Sequence, residues 1–148
     1  MTLFTLKYTP LTTSEVIGQE KALIKLKSFV TNYKTQKKKA AFVYGALGTG
    51  KTSSIYALAK ELNYDIVEIN SSDARNKDAM QSFLSSTLGQ MSLFMRPKII
   101  LIDEVDNLSG RYDRGGINIL AKALAKAKFP VILTENDPFN SKHKALCK

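Results

Sequence analysis

The sequence predicts an α/β domain built on a mostly parallel β-sheet. Three observations carry that expectation. Short apolar runs alternate with segments of helical periodicity along the chain. One apolar run, Ala40–Tyr44, leads straight into Gly45-Ala46-Leu47-Gly48-Thr49-Gly50-Lys51-Thr52, a match to G-x-x-x-x-G-K-[ST]. Another, Lys98–Asp103, ends on the paired carboxylates Asp103 and Glu104.

The elements follow in order. Leu6–Pro10 reads as extended, because Pro10 cannot continue a helix. Thr13 or Ser14 can cap a short turn through Ile17, which Gly18 breaks. From Gln19, Leu23, Leu26, Phe29 and Val30 fall at helical spacing, and Lys21, Lys25, Lys27 and Lys34 take much of the remaining surface. Lys37, Lys38 and Lys39 form an exposed loop. Ala40–Tyr44 is expected to be a strand buried on both faces. The segment Lys51–Leu62 predicts a helix with Ile55, Leu58, Ala59 and Leu62 on one side. Asp65–Asn70 predicts a second strand. Asp73 can cap a helix whose inner face carries Met80, Phe83, Leu84 and Leu88. Lys98–Asp103 is a third strand entered through Pro97. Gly110–Gly116 is a polar loop, Ile117–Lys126 a helix, and Pro130–Thr134 a fourth strand.

A chain of 148 residues with 44% apolar residues is enough for one domain, 1–148, with its own core. No apolar run approaches the roughly 18 residues that cross a bilayer, so no membrane role is expected. The N-terminus lacks the pattern of a secretory signal. Cys147 is the only cysteine, so no internal disulfide can form, and a reducing, cytoplasmic compartment is expected. The net charge of +9 suits a polyanionic partner such as nucleic acid, although a basic solvated surface carries the same charge.

The Gly45–Thr52 motif needs its residue types for a physical reason. Glycines let the backbone turn so that N–H groups converge on phosphate oxygens, and the following helix start adds partial positive charge. Lys51 is expected at the β- and γ-phosphates, Thr52 at Mg²⁺, and Ser53 at the helix start beside them. Asp103, at the tip of a parallel strand, can hold Mg²⁺ directly or through water. Glu104 can take a proton from water and aim it at the γ-phosphate. Asp106 reads as a helix cap or salt-bridge partner rather than a metal ligand. Asn136, after the fourth strand, can donate to phosphate or position water; an Asn opening a turn fits the spacing equally well. Arg75, Lys77, Arg111 and Arg114 lie in loops and can contact a DNA backbone or be merely solvated. No aromatics are interleaved with them, so little sequence reading is expected. His143 and Cys147 show no metal-ligand spacing.

These motifs, taken in order, resemble the large subunits of replication factor C, the AAA+ clamp loader, especially the archaeal form. The resemblance covers nearly the whole chain. Lys7-Tyr8-Thr9-Pro10 with Val16-Ile17-Gly18-Gln19 is similar to that family's N-terminal box, which implies Val16 and Ile17 near adenine. Glu68–Asp73 with Arg75-Asn76, Ile100–Asp106, Asp113-Arg114-Gly115-Gly116 and Ile132–Pro138 are similar to further family segments, the last with Asn136 as sensor. The resemblance implies an ATP- and Mg²⁺-dependent ATPase that works in an assembly of clamp-loader small subunits. Such an assembly opens the sliding clamp and places it on primer–template DNA. It also implies a sheet of order 5-1-4-3-2.

The chain departs from the family pattern at two places. Gly45-Ala46-Leu47-Gly48 stands where Gly-Pro-Pro-Gly is usual, so the loop loses proline stiffness but no phosphate ligand. Thr9 stands where Arg is usual. The sequence also stops before a fifth strand, an arginine finger, a lid and a collar. A four-strand order 1-4-3-2 is therefore expected, in a chain that is a fragment, a split gene product or a naturally truncated form; the isolated chain is expected to be marginally stable or self-associating and to be rescued by a partner polypeptide that supplies the missing strand and lid. Two other readings remain open: another AAA+ ATPase acting on DNA, such as a Holliday-junction motor or helicase loader, and an assembly module that holds ATP structurally.

Overall fold

A computed structural model describes residues 9–71, 82, 96–106, 116–125 and 127–137. After a single 3-10 turn at Thr13–Glu15 come α1 (Glu20–Thr31), β1 (Ala40–Tyr44), α2 (Lys51–Leu62), β2 (Asp65–Asn70), β3 (Lys98–Asp103), α3 (Gly116–Ala125) and β4 (Val131–Glu135). The four strands form one parallel sheet in the order β1-β4-β3-β2. That is the order that the family resemblance implies for these four strands.

Side chains on a strand alternate between faces, so a strand covered on both sides must be apolar throughout. β3 shows why its run is uninterrupted. Ile100 and Ile102 pack with Val131 and Leu133 of β4 against Leu120 and Leu124 of α3. Ile99 and Leu101 pack with Ile132 on the opposite face, against Leu26 and Val30 of α1 and Ile55, Leu58 and Ala59 of α2. The result is a three-layer arrangement with two cores divided by the sheet. Each fully buried Ile or Leu contributes about 1.5–3 kcal/mol, and those of β3 and β4 are wholly inaccessible to water.

The helices present stripes that match these cores. Leu23, Leu26 and Val30 are the buried positions of α1. α2 begins at Gly50 and stops at Asn63, whose φ of 57° is a left-handed cap that returns its N–H to the last turn. Tyr33, just beyond α1, meets Phe29 edge to face and donates its hydroxyl to the Ala127 carbonyl at 2.8 Å. Burial pushes that phenol up to about 12.

The structure differs from expectation in three details. Within the described residues α3 covers Gly116–Ala125 and so takes in a glycine expected in the loop. β4 is shifted by one residue at both ends, to Val131–Glu135, with Glu135 in register with Tyr44. β1 is half-buried rather than buried, and Tyr44 is 62% exposed. The reason is position: among the described residues β1 pairs only with β4, whereas β3 and β4 have neighbours on both sides.

The expected helix bearing Met80, Phe83, Leu84 and Leu88 lies outside the described residues, apart from a helical Ser82. So do the residues before Thr9, most of the Gly110–Gly116 loop, His143 and Cys147. Among the described residues, no helix is long and apolar enough to cross a membrane.

Candidate nucleotide-binding site

Because the strands are parallel, the C-terminal tips of β1, β3 and β4 open on the same edge of the sheet, where loops gather side chains. The Gly45–Gly50 loop leaves β1 there and is tied to β4 by the Gly45 N–H, which donates to the Glu135 carbonyl at 3.2 Å. Gly48 and Gly50 have φ of 76° and 79°. No neighbour would obstruct a Cβ at either position. The glycines are therefore required by backbone conformation, not by space. The turn feeds directly into α2, setting the start of that helix at the loop.

Lys51 is gripped by three oxygens. Its Nζ donates to the carbonyls of Gly45 at 2.8 Å and Ala46 at 3.0 Å, and to Asn136 Oδ1 at 2.8 Å. Residues 85 positions apart in sequence therefore meet at one ammonium. The Thr52 hydroxyl lies 3.2 Å from each Asp103 carboxylate oxygen. A hydroxyl facing a carboxylate is an oxygen-only donor pair of the kind that suits Mg²⁺, which keeps several waters and binds few protein ligands. Among the described residues there is no cluster of three or more His, Cys, Asp or Glu able to hold a metal by itself. The pair therefore fits an ion shared with phosphate rather than a dedicated all-protein cage.

The acidic pair is held from both neighbouring strands. Ser71 donates through its N–H at 3.0 Å and its hydroxyl at 2.8 Å to the Asp103 carbonyl. The Thr134 hydroxyl donates to the Asp103 carboxylate and accepts the Glu104 N–H at 3.0 Å. Glu104 has a φ of 56°, a left-handed conformation that costs a non-glycine residue about 1–2 kcal/mol. Its side chain is met by Asn70 Nδ2 at 3.5 Å. Asp106 Oδ2 accepts both the backbone N–H of Asn136 at 3.3 Å and its Nδ2 at 2.8 Å.

The structure thus brings together Lys51, Thr52, Asp103 and Asn136, with Glu104 next to them. Ala46, Leu47, Gly48, Thr49 and Ser53 are exposed around the same loop. Val16 is half-buried and Ile17 is 92% exposed. A cavity of about 570 Å³ reaches the loop at Gly45, Thr49 and Lys51, with walls from α1 and β1, among them Leu26, Phe29 and Phe42. Neither Val16 nor Ile17 lines it. Arg75, Lys77, Arg111 and Arg114 lie outside the described residues.

Sequence reasoning missed Asn70, Ser71 and Thr134 as parts of the site. Thr134 left a faint signal, as the hydroxyl in an otherwise apolar Val-Ile-Leu run. Asn70 left none, because it matters only as the register partner of Asp103.

The model of the ATPase family associated with various cellular activities (AAA) matches residues 41–146. The chain is also similar to proteins named replication factor C large subunit. It is 45% identical to that of Nanoarchaeum equitans over 95% of this chain and 33% of the relative. It is 38% identical to that of Thermofilum pendens over 97% and 35%, and 38% identical to that of Staphylothermus marinus over 95% and 34%. The chain therefore spans about a third of the length of these relatives. Glycine loop, lysine, hydroxyl and acidic strand tip meet on one edge of a 1-4-3-2 parallel sheet, and the chain belongs to the AAA family of ATPases.

Proposed function

We propose that this chain is the nucleotide-binding part of a clamp-loader large subunit, binding ATP with Mg²⁺ and hydrolysing it within the assembled complex. The observation that carries this reading is the meeting of Lys51 with Asn136 and of Thr52 with Asp103 across separate strands. The similarity to replication factor C large subunits supports the clamp-loader assignment.

Each side chain has one task in this reading. Lys51 exchanges its carbonyl oxygens for β- and γ-phosphate oxygens. Thr52 and Asp103 would hold Mg²⁺, which would supply positive charge against the phosphates. Glu104 accepts a proton from the attacking water. Asn136, which meets Lys51, would sense the γ-phosphate. Val16 and Ile17 contact the adenine. The partners are clamp-loader small subunits, the sliding clamp and the primer–template backbone, the last through Arg75, Lys77, Arg111 and Arg114. The place of action is the cytoplasm, at the nucleoid.

Two variants test the reading. Lys51→Ala should abolish most ATP binding measured by calorimetry. Glu104→Gln should bind ATP normally but lower clamp-dependent turnover in a complex whose other subunits are hydrolysis-dead. Normal affinity in the first variant, or normal turnover in the second, would remove the respective role.

A further inference from the structure

Asp106 has no task in the reading above, yet it holds the residue that holds Lys51. Asn136 bridges a carboxylate and an ammonium, and this leaves its amide only one orientation. An ionised carboxylate only accepts and an ammonium only donates. Nδ2 must therefore face Asp106, and Oδ1 must face Lys51, as observed at 2.8 Å each. The Asn136 backbone N–H also donates to the same Asp106 oxygen, at 3.3 Å. One carboxylate oxygen thus fixes both the main chain and the side chain of the residue that follows β4.

We propose that Asp106 is a positioning residue for the phosphate site: it turns the Asn136 amide so that its oxygen, not its nitrogen, addresses Lys51. The inference rests on the nucleotide-site reading only in taking Lys51 as the group that phosphate competes for. It changes the role of Asn136. One Nδ2–H is held by Asp106 and Oδ1 accepts from Lys51, so Asn136 acts on nucleotide through Lys51, by setting where the ammonium stands, and not only by donating to phosphate. Any direct donation to the γ-phosphate would fall to the second Nδ2–H, with the first still held by Asp106. Asp106 lies on the segment after β3 and Asn136 after β4. The contact therefore couples the loop carrying Glu104 to the loop facing Lys51.

The test reads the Asn136 side-chain amide by ¹⁵N NMR in protein without nucleotide, then the affinity for ADP and for a non-hydrolysable ATP analogue. In the parent protein the two Nδ2 protons should be well separated in shift and protected from exchange. Asp106→Ala should give solvent-like amide protons and weaken the ATP analogue about tenfold, as expected for losing the orientation of a charge-assisted bond. Asn136→Ala should match it, and the double variant should be no weaker than either single one. Asp106→Asn keeps an acceptor and should restore the protected amide. If Asp106→Ala does not fold, the exchanged pair Asp106→Asn with Asn136→Asp decides: the carboxylate then faces Lys51, and affinity lost in Asn136→Asp alone should return. An unchanged Asn136 amide in Asp106→Ala, additive losses in the double variant, or an exchanged pair no better than Asn136→Asp would each overturn the proposal. The amide signal is read without nucleotide, so it can fail while ATP binding stands. Loss of all nucleotide binding by the parent protein would sink the functional reading and leave the amide result intact.

Discussion

Replacing Thr134 by Val removes one oxygen and little volume, and it should disable the acidic pair from behind. Thr134 is 1% exposed, donates to the Asp103 carboxylate and accepts the Glu104 N–H. A neutral hydrogen bond contributes about 1 kcal/mol and one to an ionised group about 1.5–3 kcal/mol. Asp103 and Glu104 are half-buried, so water can recover part of the loss. We expect a net destabilisation of about 2–3 kcal/mol, or a fall in Tm of about 4–12 °C for a domain of this size. Urea unfolding should show a lower midpoint at unchanged slope. Turnover should also fall, because the Thr134 bond is one that holds Glu104 in its left-handed conformation. Thr134→Ser keeps the hydroxyl and should recover most of both losses. A Val variant as stable and as active as the parent would refute the reasoning.

Three other outcomes are expected. Glu61 is held down to about 2 from an ordinary 4.5 by Lys27 at 2.5 Å first, then by the hydroxyl and N–H of Thr13. A carboxyl lowered on folding stabilises above its unfolded value and loses that contribution as pH falls towards 2. The stability gap between parent and Glu61→Gln should therefore be full at pH 6 and shrink between pH 4.5 and 2. It should be small throughout, since the pair is near the surface; a gap independent of pH would remove the Glu61 tie. In β1, the Gly45 N–H faces β4, so by strand alternation those of Ala41 and Val43 do too and those of Phe42 and Tyr44 point away. Phe42 and Tyr44 should exchange fast in a monomeric sample and slow when a strand-donating polypeptide is added, whereas slow exchange in the monomer would show the edge already covered. For DNA, replacing Arg75, Lys77, Arg111 and Arg114 together should lower the salt slope of binding by about 3–4, with little effect on sequence preference. An unchanged slope would place these side chains away from the backbone.

The sequence by itself determined the order of elements and the local chemistry. A glycine loop between an apolar strand and a helix has few physical uses, and the period-2 and period-3.6 patterns are set by backbone geometry that any fold must obey. Lys51, Thr52 and Asp103 were legible as candidates because the motifs that contain them are local, spanning a few residues each. Tertiary structure decided which strands are adjacent, and with it every contact between residues far apart in the chain. Thr134 reaches Asp103 only because β4 lies beside β3, and Asn70 meets Glu104 only because β2 flanks β3 on the other side. The half-burial of β1 has the same origin: its residues are as apolar as those of an interior strand, but exposure depends on neighbours, not on composition. The orientation of Asn136 is the clearest case, since an amide is symmetric in size and nearly so in shape. Only the carboxylate of Asp106 on one side and the ammonium of Lys51 on the other decide which way it points.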